Sequence, residues 1–384
     1  MTENRESRAG VEIAQLSGAL RYRAFFPKPL PPEPPLVFDE ELLELLSNAD
    51  HALGRLDGIA ETLPDPDLFV AMYVRKEAVL SSQIEGTQSS LVDLLEYESD
   101  AATKGIPGDV GEVVNYVHAM NYGLRRLTEL PISLRLIREV HGELLQGGRG
   151  GERMPGEIRT TQNWIGPAGC TLADASFVPP PPHEVIPALG NLEKYIHDDS
   201  PMPALVKTGL VHAQFETIHP FLDGNGRVGR LLITLLLCER GILRSPLLYI
   251  SHYFRQNRAE YYDRLSGIRT RGDWEGWLKF FLNGVFQVSV QATETSRSVL
   301  RLREQHRQLV QERVSGVVTG LALLDFLYAT PVVTVKLVAK VLGVSKAAAN
   351  TIVARLCEAG ILSQIGEGSR NRTFAYSEYL KILG

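Results

Sequence analysis

Cysteine is scarce here, with three in 384 residues, and Cys170, Cys238 and Cys357 lie far apart. That spacing excludes a zinc framework, and the odd count in a chain of this length speaks against a disulfide scaffold; a reducing compartment fits. No apolar run approaches the ~20 residues a membrane-spanning helix needs. The apolar stretch Leu231–Cys238 is too short for that and reads as a core helix. Excess positive charge is also missing: the formal net charge is −5, which argues against a chain that is basic overall for nucleic acid. The start Met1-Thr2-Glu3-Asn4-Arg5-Glu6 is polar and lacks the apolar core of a leader, so a cytoplasmic location is expected. No GxxxxGK(S/T) occurs, which removes the P-loop folds. The length allows two or three domains around a sizeable core.

What is present is concentrated in His219-Pro220-Phe221-Leu222-Asp223-Gly224-Asn225-Gly226-Arg227-Val228-Gly229-Arg230, followed by the apolar run Leu231–Leu237. A glycine turn before an apolar helix aims backbone N–H groups and a helix N-terminus at an anion. Gly224 and Gly226 permit the backbone angles such a turn needs. Arg227 and Arg230 supply permanently charged planar forks suited to phosphate oxygens. Asp223 is a hard oxygen donor placed to hold Mg2+ against those phosphates. His219 titrates near neutrality, as a general base must. The set reads as a site for a nucleotide polyphosphate with a base for an incoming hydroxyl. Residues 224–229 also match GxGxxG, but no apolar strand precedes them and no acidic residue follows at the required distance, so the dinucleotide-binding reading fails.

These twelve residues resemble the signature of the Fic (Fido) family, HPFx(D/E)GNGRxxR, with every fixed position filled. The resemblance implies transfer of AMP from ATP to a protein Ser, Thr or Tyr hydroxyl with release of pyrophosphate. By position, His219 is then the base, and Asp223 holds Mg2+. Gly224, Asn225 and Gly226 cradle phosphates, Arg227 meets the β-phosphate and Arg230 the γ-phosphate. Phe221 anchors the loop. Some family members move UMP, phosphate or phosphocholine instead, so the donor stays an inference.

Residues Asp67–Gln83 carry apolar side chains at helical spacing, and Gly86 is a natural stop. Glu85 then sits at the helix C-terminus, where the dipole disfavours a carboxylate by roughly 0.3–1 kcal/mol, and an arginine partner is expected. Ser81-Ser82-Gln83-Ile84-Glu85-Gly86 fits the family's inhibitory motif (S/T)xxxE(G/N), with Ser81 and Glu85 at its fixed positions. The resemblance implies that Glu85 pairs with Arg230 and disfavours productive ATP binding. In some relatives the same glutamate supports removal of AMP, which leaves a bifunctional enzyme open.

Gln162, Asn163, Trp164 and Ile165, before Gly166-Pro167, suggest one side of a short hairpin. It is similar to the family's flap, which captures a target segment by strand addition. Trp164 alone reads equally well as a core aromatic. Residues 251–262 resemble the adenine side of the family's site, where Asn257 offers a donor and an acceptor and a tyrosine such as Tyr262 can stack on the base.

The fold class expected is mainly α: a Fic-type helical core with a β-hairpin flap, and a small C-terminal winged helix-turn-helix domain. The expected divisions are 1–105, an extended arm and a helical region with the inhibitory motif; 106–292, the catalytic core; and 293–384, a linker helix and winged helix. The last is placed by helices at Thr334–Val341 and Ser345–Ala359 with N-caps, and a hairpin from Ile361–Ile365 to Thr373–Tyr376. The partner expected is a protein with a hydroxyl side chain, with self-modification and a homodimer allowed by the resemblance. The alternative is a regulator that senses nucleotide in the Fic core and binds DNA through the winged helix. The helix at 345–359 offers little for base readout.

Overall fold

A computed structural model describes residues 5–17, 21–61, 66–100, 108–147, 154–167, 169–365 and 372–384. The chain begins with an antiparallel sheet, β1 (Arg5–Ser7), β2 (Gly10–Gln15) and β3 (Tyr22–Pro27). This corrects the expected extended arm. Phe25 and Ala24 of β3 are buried, Phe25 N–H donates to Val178 O at 2.9 Å, and the proline-rich stretch after Pro27 forms no strand and bends at residues 30–31 and 33–34. The Val11–Phe26 and Ile13–Ala24 pairings give the sheet its register.

Helices follow: α1 (Glu40–Glu61), α2 (Pro66–Ile84), α3 (Leu91–Asp100), α4 (Gly108–Arg126), α5 (Leu134–Leu144), α6 (Pro182–Ile196), α7 (Ala204–Ile218), α8 (Asn225–Glu239), α9 (Ser251–Gln256), α10 (Arg258–Arg271) and α11 (Trp274–Arg313). Helix α7 is buried at every position from Leu205 to Ile218 and α8 nearly so. Helices apolar or buried all round belong at the centre of a bundle, and the others pack around this pair. Polar groups carried inward find partners. His212 of α7, for example, bonds through Nδ1 to Gly229 O and through Nε2 to the Tyr261 hydroxyl, each at 2.9 Å.

The linker helix expected from Thr293 is the second half of α11, not a separate element. No proline interrupts residues 274–313, and the helix runs unbroken for 40 residues. The hairpin expected at 162–178 is reduced to one bridge, Ile165 to Phe177. Gln162 and Asn163 turn their amides onto backbone acceptors, Pro179 O and Phe221 O, and Pro179–Pro182 have no N–H to continue a ladder. Residues 160–178 therefore form a strap with a single internal backbone bridge, pinned to its surroundings by Gln162, Asn163 and Val178 O. Ala168, within that strap, lies outside the described residues.

After α11 come α12 (Val317–Ala329), β4 (Val332–Thr334), α13 (Val335–Leu342), α14 (Lys346–Glu358), β5 (Ser363–Ile365), β6 (Thr373–Ala375) and α15 (Ser377–Leu383). Thr334 and Ser345 cap α13 and α14, accepting from Leu337 and Ala348 N–H at 3.2 Å. Gly343, at φ 64°, turns one helix into the next, and their axes differ by 110°. The strands order as β4-β6-β5, antiparallel; β4 went unforeseen in the sequence. The expected turn at Gly366–Asn371 and the expected boundary at 105/106 lie outside the described residues. Among the described residues no single helix is long and apolar enough to cross a membrane.

Candidate active site

The loop from α7 to α8 is built on two left-handed residues. His219 closes α7 at φ 50°, ψ 61°, and Gly224 opens α8 at φ 76°. Asn225 locks the turn between them: its Oδ1 accepts from Phe221 N–H at 2.8 Å and its Nδ2 donates to Phe221 O at 2.9 Å. The Asn225 side chain is thus spent on the loop, and its contribution to an anion site is its N–H at the free start of α8. Phe221 is fully buried and stacks on His141, with ring centroids 3.7 Å apart and planes 7° apart.

His141 is a fixture the sequence reading missed. Its Nδ1 accepts from Gly156 N–H at 2.8 Å, so Nε2 carries the proton and donates to Asp223 O at 3.0 Å. Burial pushes its pKa down to about 4, which keeps that tautomer neutral. Its signal was present: it falls on the apolar stripe of α5 with Leu136, Ile137, Val140 and Leu144. Arg159 was missed as well. It is buried, and its guanidinium donates to His219 O at 2.9 Å and Pro180 O at 2.6 Å, tying the strap to the loop.

A cavity of about 310 Å³ opens over this loop, lined by Glu85, Gly86, Thr87, Glu112, His219, Leu222, Asp223, Gly224, Asn225, Gly226 and Arg227. Burial lowers the His219 pKa to about 3, and the charges of Arg269 and Arg159 add to the effect. The imidazole is therefore neutral at physiological pH, but its titration lies well below the near-neutral range expected from the sequence, because burial and the two guanidinium charges disfavour the imidazolium and leave a weaker base. Asp223 Oδ1 accepts from Gly224 N–H at 2.6 Å, and its side chain stands 44% exposed at the cavity.

Arg230 is buried in the first turns of α8. Its Nε donates to Ser81 Oγ at 2.8 Å, and one terminal nitrogen donates to Ser81 O at 3.0 Å and to Glu85 Oε1 at 2.7 Å. Burial raises the Glu85 pKa, but Arg230 outweighs burial and holds it below the ordinary value. The arginine partner expected for Glu85 is therefore in place. Glu85 lies one residue beyond α2, where Arg258 Nε donates to Ile84 O at 3.1 Å and satisfies the helix end. A Cβ on Gly226 would run into the Glu85 carboxylate, so glycine there lets the pair form. Beneath, Glu77 and Glu216 are buried, and burial raises both to about 7.

Gln162 Nε2 donates to Pro179 O and Asn163 Nδ2 to Phe221 O, both inward. Trp164 is 43% exposed, with its indole N–H on Cys170 O at 3.2 Å, so it is not a core aromatic. Ile165 makes the bridge to Phe177. Asn257 and Tyr262 do not line the cavity. Asn257 Nδ2 donates to Tyr253 O at 3.0 Å, and the Tyr262 ring lies under Arg258, 5.3 Å from its centroid.

Two family models match this chain, "Fic/DOC family N-terminal" over residues 43–125 and "Fic/DOC family" over residues 131–237. The chain belongs to the Fic/DOC family. It is similar to a probable protein adenylyltransferase of Aquifex aeolicus, 28% identical over 181 residues, covering 46% of this chain and 51% of that protein. It is also similar to protein adenylyltransferases of Caenorhabditis briggsae, 29% over 184 residues with 46% and 33% covered, and Drosophila ananassae, 29% over 253 residues with 63% and 46% covered. The chain thus matches about half or less of the length of these curated relatives. A crystal structure of a Fic family protein from Desulfovibrio desulfuricans G20 shares the fold, with TM-score 0.58, 19% identity, and 89% of this chain and 97% of that one covered.

Proposed function

We propose that this chain is a protein adenylyltransferase that moves AMP from ATP to a Ser, Thr or Tyr hydroxyl of a target protein, restrained by Glu85. The observation that carries the reading is the convergence on one cavity of a neutral histidine, free helix-start amides and a carboxylate. The names of the curated relatives agree with it. In the step proposed, His219 takes the proton of the target hydroxyl as its oxygen attacks the α-phosphorus. The bond from that phosphorus to the bridging oxygen breaks, and pyrophosphate leaves. The N–H groups at the start of α8 and the two arginines stabilise the phosphate charge, which is most of what such a transfer asks of a protein.

Asp223 fits a magnesium ion. Its carboxylate faces the cavity, and among the described residues no group of three metal-ligating side chains forms a full protein cage. One carboxylate completed by substrate phosphates is the usual manner of holding Mg2+. When bound, the ion would neutralise phosphate charge. Glu85 occupies the edge of Arg230 that a γ-phosphate needs, which supports the restraint.

We read α13, α14 and β4–β6 as a winged-helix module. The DNA-regulator reading has less behind it: besides Lys346 the exposed face of α14 presents Ala347, Ala348, Thr351, Ala354 and Glu358, and Asn350 already accepts from Arg372 at 2.7 Å.

The test is intact mass after incubation with ATP and Mg2+, for wild type, Glu85→Gly and Glu85→Gly/His219→Ala, alone and with cell lysate. An adenylyl increment strong in the single variant and absent from the double is expected. An unmodified lysate and enzyme in all three, with a specific DNA duplex shifted instead, would overturn the enzyme reading.

A further inference from the structure

Both arginines of the loop are already answered by a carboxylate, and only one of those carboxylates belongs to the inhibitory motif. Arg227 meets Glu112 of α4, terminal nitrogen to Oε2, at 3.3 Å. This second pair is the more enclosed: its side chains are 5% and 11% exposed, against 1% and 38% for Arg230 and Glu85. Glu112 lines the same cavity as His219 and Asp223. Arg227 Nε is buried without a hydrogen-bond partner, and its other terminal nitrogen is 3.8 Å from Asp223 Oδ1. Part of the guanidinium fork is therefore unspent beside the cavity, while one of its ends is taken.

Glu112 is also tied to the segment that carries Glu85. Thr87 Oγ1 donates to Glu112 Oε2 at 3.5 Å, and Gln88 N–H donates to Asp109 Oδ2 of the same helix start at 3.0 Å. The cavity wall itself carries the carboxylates of Glu85, Glu112 and Asp223 and one guanidinium, Arg227, with the charges of Arg230, Arg159 and Arg269 acting from behind it. A polyphosphate thus meets three carboxylates at the wall, and in a partly buried site that repulsion is poorly screened.

We propose that Glu112 is a second carboxylate competing with the donor's phosphates, acting on Arg227 as Glu85 acts on Arg230. The inference rests on the reading of the loop as an ATP site. A guanidinium offers planar pairs of N–H donors to an oxyanion. A phosphate that engages Arg227 must displace Glu112 or share the fork with it, and the apparent affinity is lowered by the fraction of molecules in which the fork is held. On the reading in which Arg227 meets the β-phosphate and Arg230 the γ-phosphate, the two carboxylates act on different ligands. Relief of Glu112 favours any nucleotide with a β-phosphate, and relief of Glu85 favours the triphosphate.

The experiment is calorimetric binding of ATP, ADP and AMP, each with Mg2+, to the full chain as wild type, Glu85→Gly, Glu112→Gln and the double variant. Glu112→Gln, close in shape, is expected to tighten ATP and ADP by roughly tenfold, to leave AMP unchanged, and to add to the effect of Glu85→Gly. A group that merely held Arg227 in place would give the opposite sign, with ADP weakened. If ADP binding is unchanged or weaker while Glu85→Gly still prefers ATP to AMP, the role of Glu112 is wrong and the nucleotide reading stands. If Glu85→Gly does not distinguish ATP from AMP, the nucleotide reading falls and this inference with it. Should Glu112→Gln fail to melt cooperatively, Glu112→Asp keeps the charge but withdraws it by one methylene. A smaller gain for ADP is then expected, and no gain overturns the proposal.

Discussion

The α7–α8 loop and the strap at 160–178 sit side by side and are held in different ways. The loop is fixed from every direction: Asn225 closes it, His141 grips Asp223 O and stacks on Phe221, and Arg159 holds His219 O. The strap has a single backbone bridge and carries Trp164 into solvent. Chemistry asks for placement within a fraction of an ångström, and buried polar networks supply it. Capturing a partner, the role proposed for the strap, would ask for free backbone groups and room to adjust, which the exposed stretch around Trp164 leaves.

The sharpest test of this contrast is His219→Ala, which removes the base while leaving the loop's anchors. Transfer should fall by about 10²- to 10⁴-fold, with ATP binding to the Glu85→Gly background nearly unchanged by calorimetry. A matching loss of affinity would mean that the histidine holds nucleotide instead. Next in size is Asn225→Ala, which strips the Phe221 N–H of its partner and leaves Phe221 O with Asn163 alone. The orphaned N–H costs about 1–3 kcal/mol, so a urea titration should show a loss of stability together with a loss of transfer. A variant as stable as the parent would show that the loop is not fixed in this way.

Acid should loosen the same region, and the sign follows from who holds the protons. Buried His219, His212 and His141, with pKa values lowered to about 3, 3 and 4, stay neutral when the unfolded chain protonates below 6.5. Their contribution to stability therefore falls as pH drops from 6.5 towards 4. Glu77 and Glu216, raised to about 7, act the other way between 4.5 and 7, because folding keeps them protonated. The two effects oppose each other down to pH 4.5, below which the histidines continue and the lowered carboxylates Glu85 and Glu139 add to the fall. Denaturant midpoints measured from pH 7 to pH 3.5 should change slowly and then fall steeply. A midpoint level below 4.5 would contradict the assignment of neutral histidines. The smallest effect belongs to the strap: Trp164→Ala should shift stability by no more than about 0.5 kcal/mol, while lowering transfer to a protein target. A large stability loss would make Trp164 part of the scaffold.

The sequence was most readable where local chemistry and periodicity agreed. The α8 run, the end of α2 just before Gly86 and the two capped helices near the C-terminus all follow from caps, glycines and apolar spacing. It misled where tertiary contact overrode local pattern. The N-terminal strands became a sheet because Phe25 buries against the strap segment, which no window of 30 residues reveals. The hairpin shrank because Gln162 and Asn163 found acceptors in distant segments. Within the site, His219, Asp223, Arg227 and Arg230 were legible as one motif. Glu112 and Arg159 were not, because each reaches the loop from an element with no fixed spacing to it.

The central claim is that the loop transfers the α-phosphate portion of ATP by way of His219. The direct measurement is protein labelling by Glu85→Gly with ATP carrying isotope at the α-phosphate or at the γ-phosphate, beside Glu85→Gly/His219→Ala, with purified enzyme and with lysate. Label from the α-position only is expected, and none in the double variant. Label from the γ-position, or equal labelling with and without His219, would contradict it.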